Sequence, residues 1–124
     1  MILEFAGAFN PLYLIRDNKI TEIKGDRFAI GLDETNFKDQ TFKNHLIPIQ
    51  QGDIIYIFSD GFADQFGGPD GKKYKYRRFR HLLLNLHRLP MDKQHEILEN
   101  NVMEWRGQQE QVDDILVIGI KIDF

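Results

Sequence analysis

Two apolar runs break the alternation of hydrophobic and polar residues along this chain, Ile54 to Phe58 and Ile115 to Ile120. Uninterrupted runs of this kind, rich in β-branched side chains and bounded by turn formers, predict strands buried on both faces. Ahead of them the pattern predicts a β meander with strands over Leu3 to Ala6, Leu12 to Arg16 and Lys19 to Ile23. Asp17-Asn18 has the residues of a two-residue hairpin turn, and Gly25-Asp26 ends that hairpin. Arg27 to Lys43 has mixed polarity and little periodicity, so it reads as a long surface connection containing Ile30-Gly31. His45 to Ile49 predicts another strand, and Gln51-Gly52-Asp53 a tight turn into Ile54 to Phe58.

Beyond Gly61 the period changes. Gly67-Gly68-Pro69-Asp70-Gly71, within Phe62 to Lys73, predicts an exposed loop. Phe79, Leu82, Leu83, Leu86 and Leu89 then recur at helical spacing, which predicts an amphipathic helix over Tyr76 to Arg88. Pro90 separates it from a second helix, Asp92 to Arg106, with Leu98, Val102 and Trp105 on its buried face and Gly107 as the stop. Helices that follow a β meander and precede a last strand give an α+β layered domain, its helices packed on a mostly antiparallel sheet. There is no internal repeat.

With 124 residues, 42% of them hydrophobic and ten of them Phe, the chain is long enough for one packed domain. A net charge of −3 gives no global argument for nucleic acid or an anionic membrane as partner. No apolar run approaches the roughly 20 residues of a membrane span, and no secretory signal pattern opens the chain. Having no cysteine excludes disulfides, thiolate catalysis and Cys-ligated metals, with the cytoplasm as the default compartment. Ser59 is the only serine, and Phe58 and Asp60 beside it do not make the Gly-x-Ser-x-Gly elbow of a serine hydrolase. His45, His81, His87 and His95 have no metal-ligand spacing and read as surface or packing residues.

The chemistry concentrates at the ends of the two runs. Ser59-Asp60-Gly61 closes the first and Asp113-Asp114 opens the second. If the strands are antiparallel neighbours, these ends share one edge of the sheet, and Asp60 and Asp113 converge there. Facing carboxylates suit a hard divalent cation that takes oxygen ligands and keeps several waters. Each motif alone also fits a plainer role, Asp60-Gly61 as a turn and Asp113-Asp114 as a solvated loop end.

Taken in order, Phe5-Ala6-Gly7-Ala8-Phe9-Asn10-Pro11-Leu12, Ile30-Gly31, Gly52-Asp53 leading through Ile57 to Asp64, and Val112-Asp113-Asp114-Ile115 resemble the metal-dependent PPM-type protein phosphatases, in their SpoIIE-like bacterial branch. The resemblance covers almost the whole chain. It implies a phosphoserine/phosphothreonine protein phosphatase of bacterial signalling, on an αββα sandwich that holds two Mg²⁺ or Mn²⁺ ions at one edge. On this resemblance Asp60, with Gly61 beside it, matches the Ser-Asp-Gly metal motif and Asp113 the first aspartate of the Asp-Asp motif. Asp60 and Asp113 are then the residues that carry catalysis, while Asp114 binds metal through water or orients Asp113. Gly7 and Asn10-Pro11 match structural support near the site. A metal-activated water needs no protein nucleophile, which suits a chain with one serine and no cysteine.

The family's opening Gly-Asp-x-x-Asp strand, its His-Gly segment and its long helices have no counterpart here. Residues 1–124 are therefore expected to be the carboxy-terminal portion of a phosphatase domain, weak or inactive alone, within a longer cytoplasmic or membrane-tethered chain bearing a sensor domain. A phosphorylated protein is the expected substrate, and open sheet edges predict a homo-oligomer. The alternative is a non-catalytic regulatory domain that uses the same scaffold to bind a protein. One motif remains outside these readings: Lys72, Lys73, Lys75, Arg77, Arg78 and Arg80, interleaved with Tyr74, Tyr76 and Phe79. It fits a solvated helix start, a contact to nucleic acid phosphates, or docking of an acidic or phosphorylated protein. The acidic net charge weighs against nucleic acid.

Overall fold

In the computed structural model, which describes residues 1–27 and 41–124, the first strand does not join the hairpin that follows it. The expected surface connection after Arg27, with Ile30-Gly31, lies for the most part outside the described residues. Strand β1 (Ile2–Phe5) is followed by β2 (Leu12–Arg16) and β3 (Lys19–Ile23), which form the predicted hairpin. Asp17 and Asn18 both take positive φ, 51° and 60°, the type I′ geometry whose twist matches the flanking strands. β1 instead pairs antiparallel with β4 (His45–Pro48), Ile2 opposite Pro48, so the meander expected from adjacency is not formed. Pairing over forty residues of separation leaves no local trace in a sequence.

β5 (Ile54–Phe58) lies at the centre of a second sheet, between β2 and the last strand, β8 (Val117–Lys121), in the order β3-β2-β5-β8 and antiparallel throughout. The central strands bury alternate residues on opposite faces. Tyr13, Ile15, Tyr56 and Phe58 face α2 (Tyr76–Leu86) and α3 (Met91–Arg106), where Phe79, Leu83 and Leu86 complete an aromatic-rich core. Leu12, Leu14 and Ile55 face the other way and pack with Ile47 and Ile49 at the β1-β4 sheet. The result is helices on a four-stranded sheet on a two-stranded sheet, the α+β layering with antiparallel pairing read from the sequence.

Arg16 fastens the hairpin to the turn before β5. Its Nε and Nη2 donate to the two carboxylate oxygens of Asp53 at 2.8 and 2.6 Å, and the Gln50 amide donates to Asp53 as well. Asp53 is almost wholly buried. The bidentate bond from Arg16 is the main reason its carboxyl titrates below the usual range.

Three expectations are corrected. β8 is not buried on both faces: it starts at Val117 rather than Ile115, and Ile118, Gly119, Ile120 and Lys121 are exposed. Its apolar character reflects strand preference, while coverage depends on a neighbour that no described residue supplies on its outer edge. The glycine cluster is framed by a short hairpin, β6 (Phe66–Gly67) with β7 (Lys72–Lys73), in which Gly68 and Gly71 take positive φ. A short helix, α1 (Gly61–Asp64), follows Asp60 directly. In α3 the predicted Leu98, Val102 and Trp105 do pack against the core, each half-buried, and the most buried position is Gln94, whose Oε1 accepts from the Tyr56 hydroxyl at 2.6 Å. Among the described residues no helix is long and apolar enough to cross a membrane.

Candidate functional site

Strand register gathers the motifs at one end of the four-stranded sheet. Leu12 lies opposite both Ile57 and Ile23, and Phe58 lies opposite Val117. The segments that carry Asn10-Pro11, Gly25-Asp26, Ser59-Asp60-Gly61 and Asp113-Asp114 therefore all leave the sheet at the same edge.

Ser59 joins two of these segments. Its amide donates to the Leu116 carbonyl at 3.0 Å, its Oγ donates to the Asp114 carbonyl at 2.7 Å, and the Leu116 amide donates back to that Oγ at 2.9 Å. Gly61 closes the contact. A Cβ there would clash with the Asp114 carbonyl, so only glycine lets the chain leaving β5 press against the chain entering β8.

Asp60 is half-buried at the start of α1, and its backbone carbonyl accepts from the Asp64 amide at 2.9 Å. Its carboxylate Oδ1 accepts a hydrogen bond from the Tyr76 hydroxyl in the first turn of α2. Burial, and then the bond to Asp60, drive the Tyr76 phenol well above its ordinary pKa, so it stays a neutral donor aimed at the carboxylate. Asp113 and Asp114 are exposed. Asp113 Oδ1 accepts from the Asp114 amide at 2.8 Å, a local turn that leaves its second oxygen open.

The donors here are carboxylates and backbone carbonyls, the chemistry that Mg²⁺ and Mn²⁺ prefer. The structure brings the backbones of the two acidic motifs into contact. Among the described residues it forms no cluster of three or more His, Asp or Glu side chains able to enclose an ion. Asp60, Asp113 and Asp114 offer oxygen donors of the kind such an ion takes, and the described residues do not gather them into a closed site.

Gly7 and Asn10 take part in a backbone knot beside this edge. The Asp26 amide donates to the Gly7 carbonyl at 2.7 Å, and the Phe9 amide donates to the Asp26 carbonyl at 2.6 Å. Gly25 packs so closely on Asn10 and Gly7 that no side chain fits. Three histidines make contacts outside the acidic motifs: His87 Nδ1 is 2.6 Å from the Leu84 carbonyl, His95 is 3.6 Å from Glu99, and the His45 ring leans on Phe5.

Two residues acquire roles that sequence reading did not give them. Ser59 was legible as the only serine but not as a clamp, because its partners lie more than fifty residues away. Tyr76 was legible as the start of the predicted helix and as an aromatic in a basic tract, but not as a partner of Asp60. A tyrosine at the first turn of a helix that follows a Ser-Asp-Gly strand end was the available signal.

The family defined by stage II sporulation protein E (SpoIIE) matches residues 2–123. The PP2C domain of SiaA from Pseudomonas aeruginosa superposes with a TM-score of 0.85 at 34% identity, over 98% of this chain and 46% of that one. The PP2C phosphatase domain with a fragment of the regulatory domain of the cell-fate determinant SpoIIE from Bacillus subtilis gives 0.73 at 18% identity, over 98% and 35%. A manganese-presoaked SpoIIE phosphatase domain from Bacillus subtilis gives 0.63 at 16%, over 100% and 56%. The chain thus spans about half or less of the length of the first of these structures. No curated protein matches it.

Proposed function

The chain belongs to the SpoIIE family of PP2C-type phosphatases, and from that premise we propose that it forms part of a metal-dependent phosphoserine/phosphothreonine protein phosphatase. The observation that carries the reading is the Ser59 clamp, which seats Asp60-Gly61 against the Asp113-Asp114 segment at one sheet edge. In this reading Asp60 and Asp113 are direct metal ligands, and Asp114 binds through water or orients Asp113. When bound, Mg²⁺ or Mn²⁺ supplies a water of lowered pKa and neutralises phosphoryl oxygens. Ser59 fixes the spacing of the two acidic segments. Tyr76 holds the Asp60 carboxylate in one orientation and keeps it from turning into solvent. The described carboxylates make a partial set, and the reading places the remaining ligands in a portion of the domain that the longer relatives span and this chain does not. Residues 1–124 are then the carboxy-terminal part of a bacterial signalling phosphatase governed by a sensor domain, with a phosphoprotein as substrate.

Titrating Mn²⁺ into the purified chain, read by the electron paramagnetic resonance of free Mn²⁺, tests the ligand assignment. Asp60→Asn and Asp113→Asn should each weaken binding about tenfold or more, each tenfold being about 1.4 kcal/mol, while Asp17→Asn at the opposite end of the sheet changes nothing. Unchanged affinity in Asp60→Asn overturns the assignment. Phosphate release from a phosphoserine peptide should be weak or absent with this chain alone, and vigorous manganese-dependent turnover contradicts the partial-site reading.

A second reading has its own support. The Tyr76 hydroxyl already occupies one Asp60 oxygen and no three-carboxylate cluster forms among the described residues, which suits a regulatory domain that keeps the scaffold to bind a protein. Mn²⁺ binding that ignores both aspartate substitutions favours this alternative.

A further inference from the structure

The basic tract at the start of α2 resolves into two sets of cations. Lys73 pairs with Asp64 at 3.5 Å and Arg80 with Glu22 at 3.7 Å. The Arg78 guanidinium lies 4.7 Å from the Trp105 ring centre and donates to the Tyr74 carbonyl at 3.2 Å, which fixes its direction. Lys75 and Arg77 are exposed and have no acidic partner among the described residues. Together with His81, Leu82, Asn85 and, from α3, Asn101, they line a cavity of about 810 Å³. Among the described residues no carboxylate lines it, although acidic residues outnumber Lys and Arg, 19 to 16, over the whole chain.

We propose that this groove between α2 and α3 is a docking surface for an acidic protein segment. Convergent Lys75, Arg77 and Arg78 charges match carboxylates in an extended chain, and the preorganised Arg78 loses little freedom on binding. Asn85 and Asn101 add amide groups able to meet an incoming backbone. Single-stranded nucleic acid, the other polyanion, is recognised with aromatic faces on which bases stack. Here those faces are consumed by the core: Tyr74 and Phe79 are buried, Tyr74 meets Trp105 edge-on, Arg78 covers Trp105, and Tyr76 packs on Phe58. Tyr74 also lines the pocket but is buried, which leaves the His81 imidazole as the one exposed ring among its described lining residues, too little for a run of stacked bases.

Its position gives the docking a use. Tyr76, between Lys75 and Arg77 in sequence, carries its hydroxyl to Asp60, so the groove and the candidate site adjoin through one helical turn. A phosphoprotein held here by acidic residues flanking its phosphorylated residue lies beside the carboxylates. That identification of the segment with the substrate rests on the phosphatase reading; the docking itself does not.

Fluorescence anisotropy of a short labelled Glu/Asp-rich peptide with the purified chain, in metal-free buffer, separates the two. The peptide should bind, its Gln/Asn counterpart should not, and the double reversal Lys75→Glu with Arg77→Glu should weaken binding about tenfold or more while Lys19→Glu leaves it intact. Circular dichroism checks the fold, and Arg77→Gln, which adds no charge, should give a smaller loss in the same direction. Equal binding of both peptides, insensitivity to the reversal, or stronger binding of an oligothymidine of matched charge overturns the proposal. Because no metal is present, none of these outcomes depends on whether Asp60 and Asp113 ligate one.

Discussion

β5 and β8 run side by side, hydrogen-bonded along their length, yet they live in different surroundings. Tyr56, at the middle of β5, is fully buried, whereas Ile118 and Ile120 across the ladder in β8 are 39% and 46% exposed. The strands differ in place: among the described residues β5 has a neighbour on each edge and a layer on each face, while β8 has one neighbour. Burial is therefore a property of position in the sheet. The interior strand holds the fold together, and its exposed neighbour carries the acidic segment that comes up against Asp60.

That contrast can be broken first at its strongest point. Phe58→Ala removes a ring that packs on Tyr13, Phe79 and Tyr76 and should cost about 3–5 kcal/mol in urea unfolding, against under about 1 kcal/mol for Ile118→Ala in β8. Similar losses at the two positions would erase the distinction drawn between the strands.

The start of β5 offers the next largest effect. Arg16→Met leaves the Asp53 carboxylate with only the Gln50 amide and should lower the urea midpoint measurably at neutral pH. The Asp53 pKa is lowered in the folded state, so its contribution is complete above the unfolded carboxyl value, about 3.9, and fades as pH falls through the lower folded value. Acid titration of stability should therefore show a shallower acid limb in Asp53→Asn than in the parent. An identical acid limb in the two proteins rejects this assignment.

Ser59→Ala tests the join between the strands. Loss of one hydroxyl that both donates and accepts should cost about 1–2 kcal/mol, and amide exchange should accelerate at Leu116 ahead of the β5 interior. Uniform acceleration of both strands shows that the clamp does not act locally.

The smallest effect on stability belongs to the open edge. Ile118→Lys with Ile120→Lys should change unfolding free energy by no more than about 0.5 kcal/mol per site while abolishing self-association in light scattering. A parent chain that stays monomeric at high concentration removes the expectation that another copy covers β8.

Much of this arrangement was legible in residue order. Asp17-Asn18 specified the hairpin because both residues tolerate positive φ; the leucine spacing after Tyr76 specified α2; and Pro90 and Gly107 bracketed the second helix. The two acidic motifs could be placed on one edge as soon as the strands were taken as antiparallel, a pairing that the register bears out. The rest was hidden for a common reason. β1 pairing with β4, Ser59 reaching Asp114 and Leu116, and Tyr76 reaching Asp60 are contacts between segments remote in sequence, with no periodicity to announce them.

The amino-acid sequence by itself determined most of the longer local elements, the family and the residue types fit for an oxygen-ligated cation, because backbone preferences, side-chain period and short motifs act over a few residues. Only the tertiary structure decided that β8 lies exposed, that a serine splices two strand ends, and that a tyrosine holds Asp60. Burial and side-chain partnership depend on which distant segment arrives alongside, and that follows from packing the whole chain at once.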